Sequence, residues 1–103
     1  AEAYLLGRGM QLVQRNFRNR YGEIDLIMRD QDSLVFVEVR TRGVDDGISA
    51  LDSIGPQKQR QVRLVASSYL STTDQLPKSI RIDALGILLN AEGAVIHYVP
   101  NAM

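Results

Sequence analysis

The sequence predicts an α/β chain of the α+β kind: a mixed five-stranded sheet flanked by helices, in the order α-β-β-β-α-β-β. Three observations carry this. Five segments are strand-like, either alternating in polarity or running apolar for several residues, and turn-forming residues bound them. One segment, after Pro56, repeats its apolar residues at helical spacing instead. Polar turn clusters at Arg20-Tyr21-Gly22, Asp30-Gln31-Asp32-Ser33 and Asn90-Ala91-Glu92-Gly93 mark the reversals.

Residues Ala1 to about Leu6 read as the end of an amphipathic helix closed by Gly7 and Gly9. Met10 to Asn19 alternates loosely as a first strand, with Leu12 and Phe17 its clearest apolar positions. Gly22 to Met28 and Leu34 to Arg40 form a hairpin across the Asp30–Ser33 turn, so three consecutive antiparallel strands are expected. Strict alternation would put Glu23, Asp25 and Ile27 on one face of the second strand and Ile24, Leu26 and Met28 on the other. Gly43 to Gly55 is polar and turn-rich and is the best candidate for a mobile loop. Pro56 suits the first position of a helix running to about Leu70. Its core face is Val62, Val65, Ala66 and Tyr69, with Gln57, Lys58, Arg60, Gln61 and Arg63 outside. After a loop over Thr72–Pro77, Ile80–Leu89 and Ala94–Val99 complete the sheet as a hairpin. Two helices against one mixed sheet is the economical packing.

At 103 residues the chain holds one domain. It opens Ala1-Glu2-Ala3 without an initiating Met, so residues are expected to precede it. The absence of cysteine excludes disulfide scaffolds, thiolate metal sites and a Cys nucleophile. The single His97 excludes histidine-rich zinc chemistry from within this chain and reads as a surface residue. No apolar run approaches the roughly 20 residues that span a bilayer, and no secretory pattern is visible, so no membrane partner and a cytoplasmic location are expected.

Net charge is zero, but its distribution is uneven. Arg8, Arg15, Arg18 and Arg20 lie between Gly7 and Gly22 with no acid, and Lys58, Arg60 and Arg63 lie between Gly55 and Val65 with none. Ten of the twelve basic residues are arginine, the side chain suited to bidentate phosphate contact. Two basic segments around an acidic centre suit a phosphodiester substrate; a solvated arginine-rich surface explains the same pattern.

The acidic centre is the most pointed feature. Leu34 to Arg40 is apolar on both faces except for Glu38 and Arg40, and such strands are usually buried on both faces. Ionised groups there are costly unless paired or bound to metal. With Glu23 and Asp25 on the adjacent strand, either a divalent-cation site or an ion-pair network of Asp25, Glu38, Arg40 and Arg42 satisfies the pattern. Asp83 reads as structural, a partner for Arg81 or Arg42. Tyr4, Phe17, Phe36, Tyr69 and Tyr98 read as core or rim, and Tyr21 as the aromatic available for stacking on a base.

Several separated blocks resemble the YraN-like family of small bacterial proteins: Arg15-Asn16-Phe17-Arg18, Gly22-Glu23-Ile24-Asp25-Leu26-Ile27, Val35-Phe36-Val37-Glu38-Val39-Arg40-Thr41-Arg42, Pro56 to Arg63, Ala66 to Leu70 and Arg81-Ile82-Asp83. That family is similar to the PD-(D/E)xK nucleases, including Holliday-junction resolvases. The resemblance implies a restriction-endonuclease-like core with a metal site at a bend in the central hairpin. It places Asp25 on the first acid and Glu38 on the acid of the E-x-K element, so that both would hold Mg²⁺ or Mn²⁺ with the Val39 carbonyl and waters completing the shell. Such an ion would activate water and offset charge at the transition state. Arg40 stands where the superfamily has Lys; it can clamp a phosphate but cannot act as a base. Glu23 would be an outer acid or a salt-bridge partner for Arg18 or Arg20. Arg15, Arg18, Arg20, Arg42, Lys58 and Arg60 would contact nucleic acid. Resolvases of similar fold act as symmetric dimers, so a homodimer is expected.

The implied activity is a divalent-metal-dependent DNA endonuclease, with branched or damaged DNA among the candidate substrates. A nuclease scaffold that binds nucleic acid without turnover, and a protein-interaction domain, are the alternatives.

Overall fold

The computed structural model describes residues 1–43, 55–73 and 76–100, apart from the side chains of residues 42 and 43. Its elements follow the expected order: α1 (Glu2–Gly7), β1 (Gln11–Asn19), β2 (Gly22–Asp30), β3 (Ser33–Gly43), α2 (Pro56–Leu70), β4 (Ser79–Asn90) and β5 (Gly93–Val99). They build a five-stranded sheet in the spatial order β1-β2-β3-β4-β5. The β1–β2, β2–β3 and β4–β5 pairs are antiparallel, and β3 and β4, joined through α2, are parallel. The chain is therefore α+β with a mixed sheet. Most of the expected mobile loop, residues 44–54, lies outside the described residues.

β3 is central because it is apolar on both sides, and the two sides serve different cores. On one face Ile24, Ile27, Leu34, Phe36 and Ile82 pack against Val62, Val65 and Ala66 of α2. Tyr69 joins them with edge-on contacts to Phe17 and Phe36, ring centroids 5.2 and 5.9 Å apart. On the other face Met10, Leu26, Met28, Val35, Val37 and Leu85 pack against Leu5 of α1. The expected apolar face of α2 is thus the observed one, and Pro56 is its first residue behind an extended Gly55. Arg8, rather than Gly7, caps α1, with Gly9 beyond it at φ +94°.

The strict alternation expected of β2 does not hold. Ile24 and Ile27 lie on the α2 face together, while Leu26 and Met28 face α1, so the pleat changes parity at Asp25. The neighbouring strand is irregular too: between the Arg15–Leu26 and Phe17–Ile24 pairs, opposite Asp25, Asn16 takes φ +51°, and the register shifts further along, between Leu12 and Gln14. Irregularities of this kind bend a strand and re-aim its side chains. The β2–β3 ladder extends only to Leu26–Val37, whereas β3 stays paired with β4 to Gly43–Leu89. β2 thus parts from β3 just where the strand carries its charges.

Candidate active site

The fork between β2 and β3 brings Asp25, Glu38, Arg40 and Lys58 together. Where the backbone ladder lapses, the Asp25 carboxylate takes its place: Oδ2 accepts the Val39 N–H at 2.7 Å. Glu38 continues the Leu34–Phe36 face toward α2 and is 6% exposed. One turn into α2, Lys58 reaches back so that Nζ lies 3.2 Å from Glu38 Oε1. This corrects the placement of Lys58 among the outward residues of the helix. Arg40 Nε lies 3.8 Å from the same oxygen, too far for a hydrogen bond. That nitrogen is buried and has no hydrogen-bond partner among the described residues. On the same face of β4, Ala84 stands beside Glu38 and Gly86 beside Arg40.

The electrostatics of Glu38 follow from this setting. Burial pushes its pKa above the ordinary value, the nearby Asp25 charge pushes it further, and Lys58 and Arg40 pull it back. A buried carboxyl whose ionisation a neighbouring carboxylate makes costlier, with cations at hand to offset it, is a group that a divalent ion would relieve. Mg²⁺ is commonly held through one or two carboxylates, with waters and substrate phosphates filling its shell. Asp25 and Glu38 fit that requirement as oxygen donors. Among the described residues no cluster of three or more acidic, His or Cys side chains could hold a metal ion.

The remaining sequence-selected residues divide. Glu23 is outside the fork, 2.9 Å from Arg18, and so is a salt-bridge partner. Arg15 is held bidentately by Glu2, with Nη2 to Oε2 at 2.9 Å; this lowers the Glu2 pKa. Arg20 donates to the Tyr21 hydroxyl at 2.8 Å and lies over that ring, 4.9 Å from its centroid. Arg60 is exposed on α2, and the Arg42 side chain lies outside the described residues. Arg18, Arg20, Lys58 and Arg60 share a cleft with Tyr21, Gln57 and Gln61 between the β1–β2 turn and the start of α2. Gln57 and Gln61 carried no functional signal in the sequence. The nearest clue was Gly22 (φ +145°), where a Cβ would come within 2.6 Å of Gln61 Nε2.

Away from the fork, Asp83 is fully buried and pairs with Arg81, as one of its two expected partners. Arg81 also reaches Asp30 at 3.0 Å, and Tyr98 donates to Asp83. No helix among the described residues is long and apolar enough to cross a membrane.

Comparison with known proteins places these features in a family. The model of the uncharacterised protein family UPF0102 matches residues 1–87. A UPF0102 protein of Nitrosospira multiformis is 48% identical over 99% of this chain and 84% of its own length. One from Dictyoglomus turgidum is 37% identical over 96% of this chain and 86% of its own. Among solved structures, Pyrococcus furiosus SfsA in complex with Ca²⁺ aligns with 96% of this chain and 58% of its own at 16% identity, with a TM-score of 0.35, too loose a likeness to bear on function. On the family match and these identities, the chain belongs to UPF0102.

Proposed function

We propose that the protein is a divalent-metal-dependent nuclease that hydrolyses phosphodiester bonds in DNA. The observation that carries this is the buried Glu38 carboxyl beside Asp25 in the β2–β3 fork, with Lys58 and Arg40 beside it. Asp25 and Glu38 would hold Mg²⁺ or Mn²⁺, which would supply a Lewis acid and an activated water. The chain's own groups do the rest. The unsatisfied Arg40 Nε is a donor for a phosphate oxygen, and the guanidinium remains charged throughout. Lys58, whose ammonium lies 3.2 Å from Glu38, would serve as the general acid for the oxygen leaving phosphorus, a role closed to the permanently charged Arg40. The basic cleft beside Lys58 would hold the substrate strand.

The test is cleavage of linear, single-stranded and four-way-junction DNA with Mn²⁺ or Mg²⁺, alongside Asp25→Asn and Glu38→Ala. Both substitutions are expected to abolish cutting. In the parent, metal at about one hundred times its Kd should add about 2.7 kcal/mol of stability, seen as a rise in Tm that Asp25→Asn removes. Equal cutting by Glu38→Ala would mark a contaminant and end the proposal. One observation favours a second reading, a binding module without turnover: Lys58 already occupies Glu38 Oε1, and Arg40 replaces a titratable lysine. That reading expects salt-sensitive DNA binding, indifferent to EDTA, without cleavage.

A further inference from the structure

The cleft between the β1–β2 turn and the first turns of α2 has a shape and a lining that the acid pair does not account for. Its larger part, of about 460 Å³, is lined by Tyr21, Gln57, Lys58, Arg60, Gln61 and Leu64. The adjoining part runs along the turn past Arg18, Asn19 and Arg20. Glu23 is the acid on its wall, and Arg18 holds it. The cleft is therefore positive, with an aromatic ring, an apolar side chain at Leu64 and two carboxamides.

We infer that this cleft receives an unpaired nucleotide, with its base against Tyr21 and its phosphates on Lys58 and Arg60. The inference deepens the nuclease reading, on which it rests, by naming the substrate class as DNA with a single-stranded segment. Tyr21 is half-exposed at a tight turn whose geometry Asn19 holds, its Oδ1 accepting the Tyr21 N–H at 2.9 Å. Arg20, bonded to the hydroxyl and lying over the ring, limits the ring's rotation. A held, accessible ring beside cations is how proteins bind single strands, because every base offers a π-face. The amides of Gln57 and Gln61 present both donors and acceptors to a base edge. A paired base buries that edge and both of its faces, so a duplex has little to offer here. Lys58 lines the cleft and contacts Glu38, so a strand seated there leads directly to the acid pair.

The chain contains no tryptophan, so Tyr21→Trp creates a single indole reporter at the site. In EDTA at low salt, a short oligothymidylate should quench that fluorescence saturably, and a blunt duplex of equal length should not. Tyr21→Ala should weaken oligothymidylate binding about 10-fold while leaving duplex affinity unchanged, and Tyr21→Phe should bind as the parent does. Absence of quenching, equal quenching by duplex, or equal quenching by polyglutamate would overturn the inference, the last by identifying an acidic peptide site. Since no metal is present, the outcome is separate from cleavage. A protein that stacks but never cuts retires the nuclease reading alone, and one that cuts while Tyr21→Ala binds normally retires the base cleft alone.

Discussion

Glu38 shows how one side chain can be both a cost and a tool. Burial and the neighbouring Asp25 raise its pKa above the ordinary 4.5, so the folded protein holds that proton more tightly than the unfolded chain does. The stability this contributes is complete below the ordinary value and is lost as pH rises through the raised one. Glu38→Gln, which keeps shape but cannot ionise, should therefore gain stability relative to the parent as pH climbs from acid to neutral. Paired melting curves across that range check it, and a constant difference would show that the carboxyl is not penalised. Because the proposed metal would bind the ionised form, Mn²⁺ affinity should tighten over the same interval. The sequence pattern alone drew attention to Glu23, Asp25 and Glu38 as acids on apolar strands, and the family resemblance singled out Asp25 and Glu38. Pairing Lys58 with Glu38 needed the fold, since its helical position alone points it toward solvent.

Among the elements, β2 departs furthest from what its pattern implies. Simple alternation assigns Glu23, Asp25 and Ile27 to one face, yet Ile24 and Ile27 share the α2 core. No local preference announces that change of parity; it is imposed by two helices demanding apolar contacts on opposite faces of one strand. The bend frees the Asp25 carboxylate to bond the Val39 N–H and opens the fork. The turn at the other end of the cleft depends on Gly22, whose φ of +145° is one that side chains resist and whose missing Cβ admits Gln61. Gly22→Ala should cost about 1–3 kcal/mol in urea unfolding, most of it from backbone conformation, since Gln61 is flexible enough to move aside. An unchanged midpoint would show that the turn relaxes freely.

Across the whole molecule, the sheet is held on its α1 side by a polar network as well as by an apolar core. Arg81 on β4 joins Asp30 of β2 to the buried Asp83, and Tyr98 of the edge strand β5 closes onto both Asp83 and Arg81. Tyr98 in turn meets Tyr4 of α1 edge-on, with Arg8 4.8 Å from its ring centroid. Burial, and then the bond to Asp83, raise the Tyr98 pKa to about 12, so the phenol stays neutral and donating at every physiological pH. Tyr98→Phe keeps the ring but strands part of the Asp83 carboxylate, and a loss of about 1–3 kcal/mol is expected. Equilibrium unfolding measures it. No loss would mean that the remaining partners of Asp83, Arg81 among them, satisfy it.

Local signals determined the element order, the apolar face of α2 and the central place of β3, because each is written in the spacing of neighbouring residues, whereas the family resemblance selected Asp25 and Glu38 from the three strand acids. Tertiary structure alone decided the parting of β2 from β3, the inward turn of Lys58, the engagement of Arg15 by Glu2, and the cleft between Tyr21 and α2. These join residues far apart in the chain, and packing across the sheet, which no short stretch of sequence encodes, sets their distances.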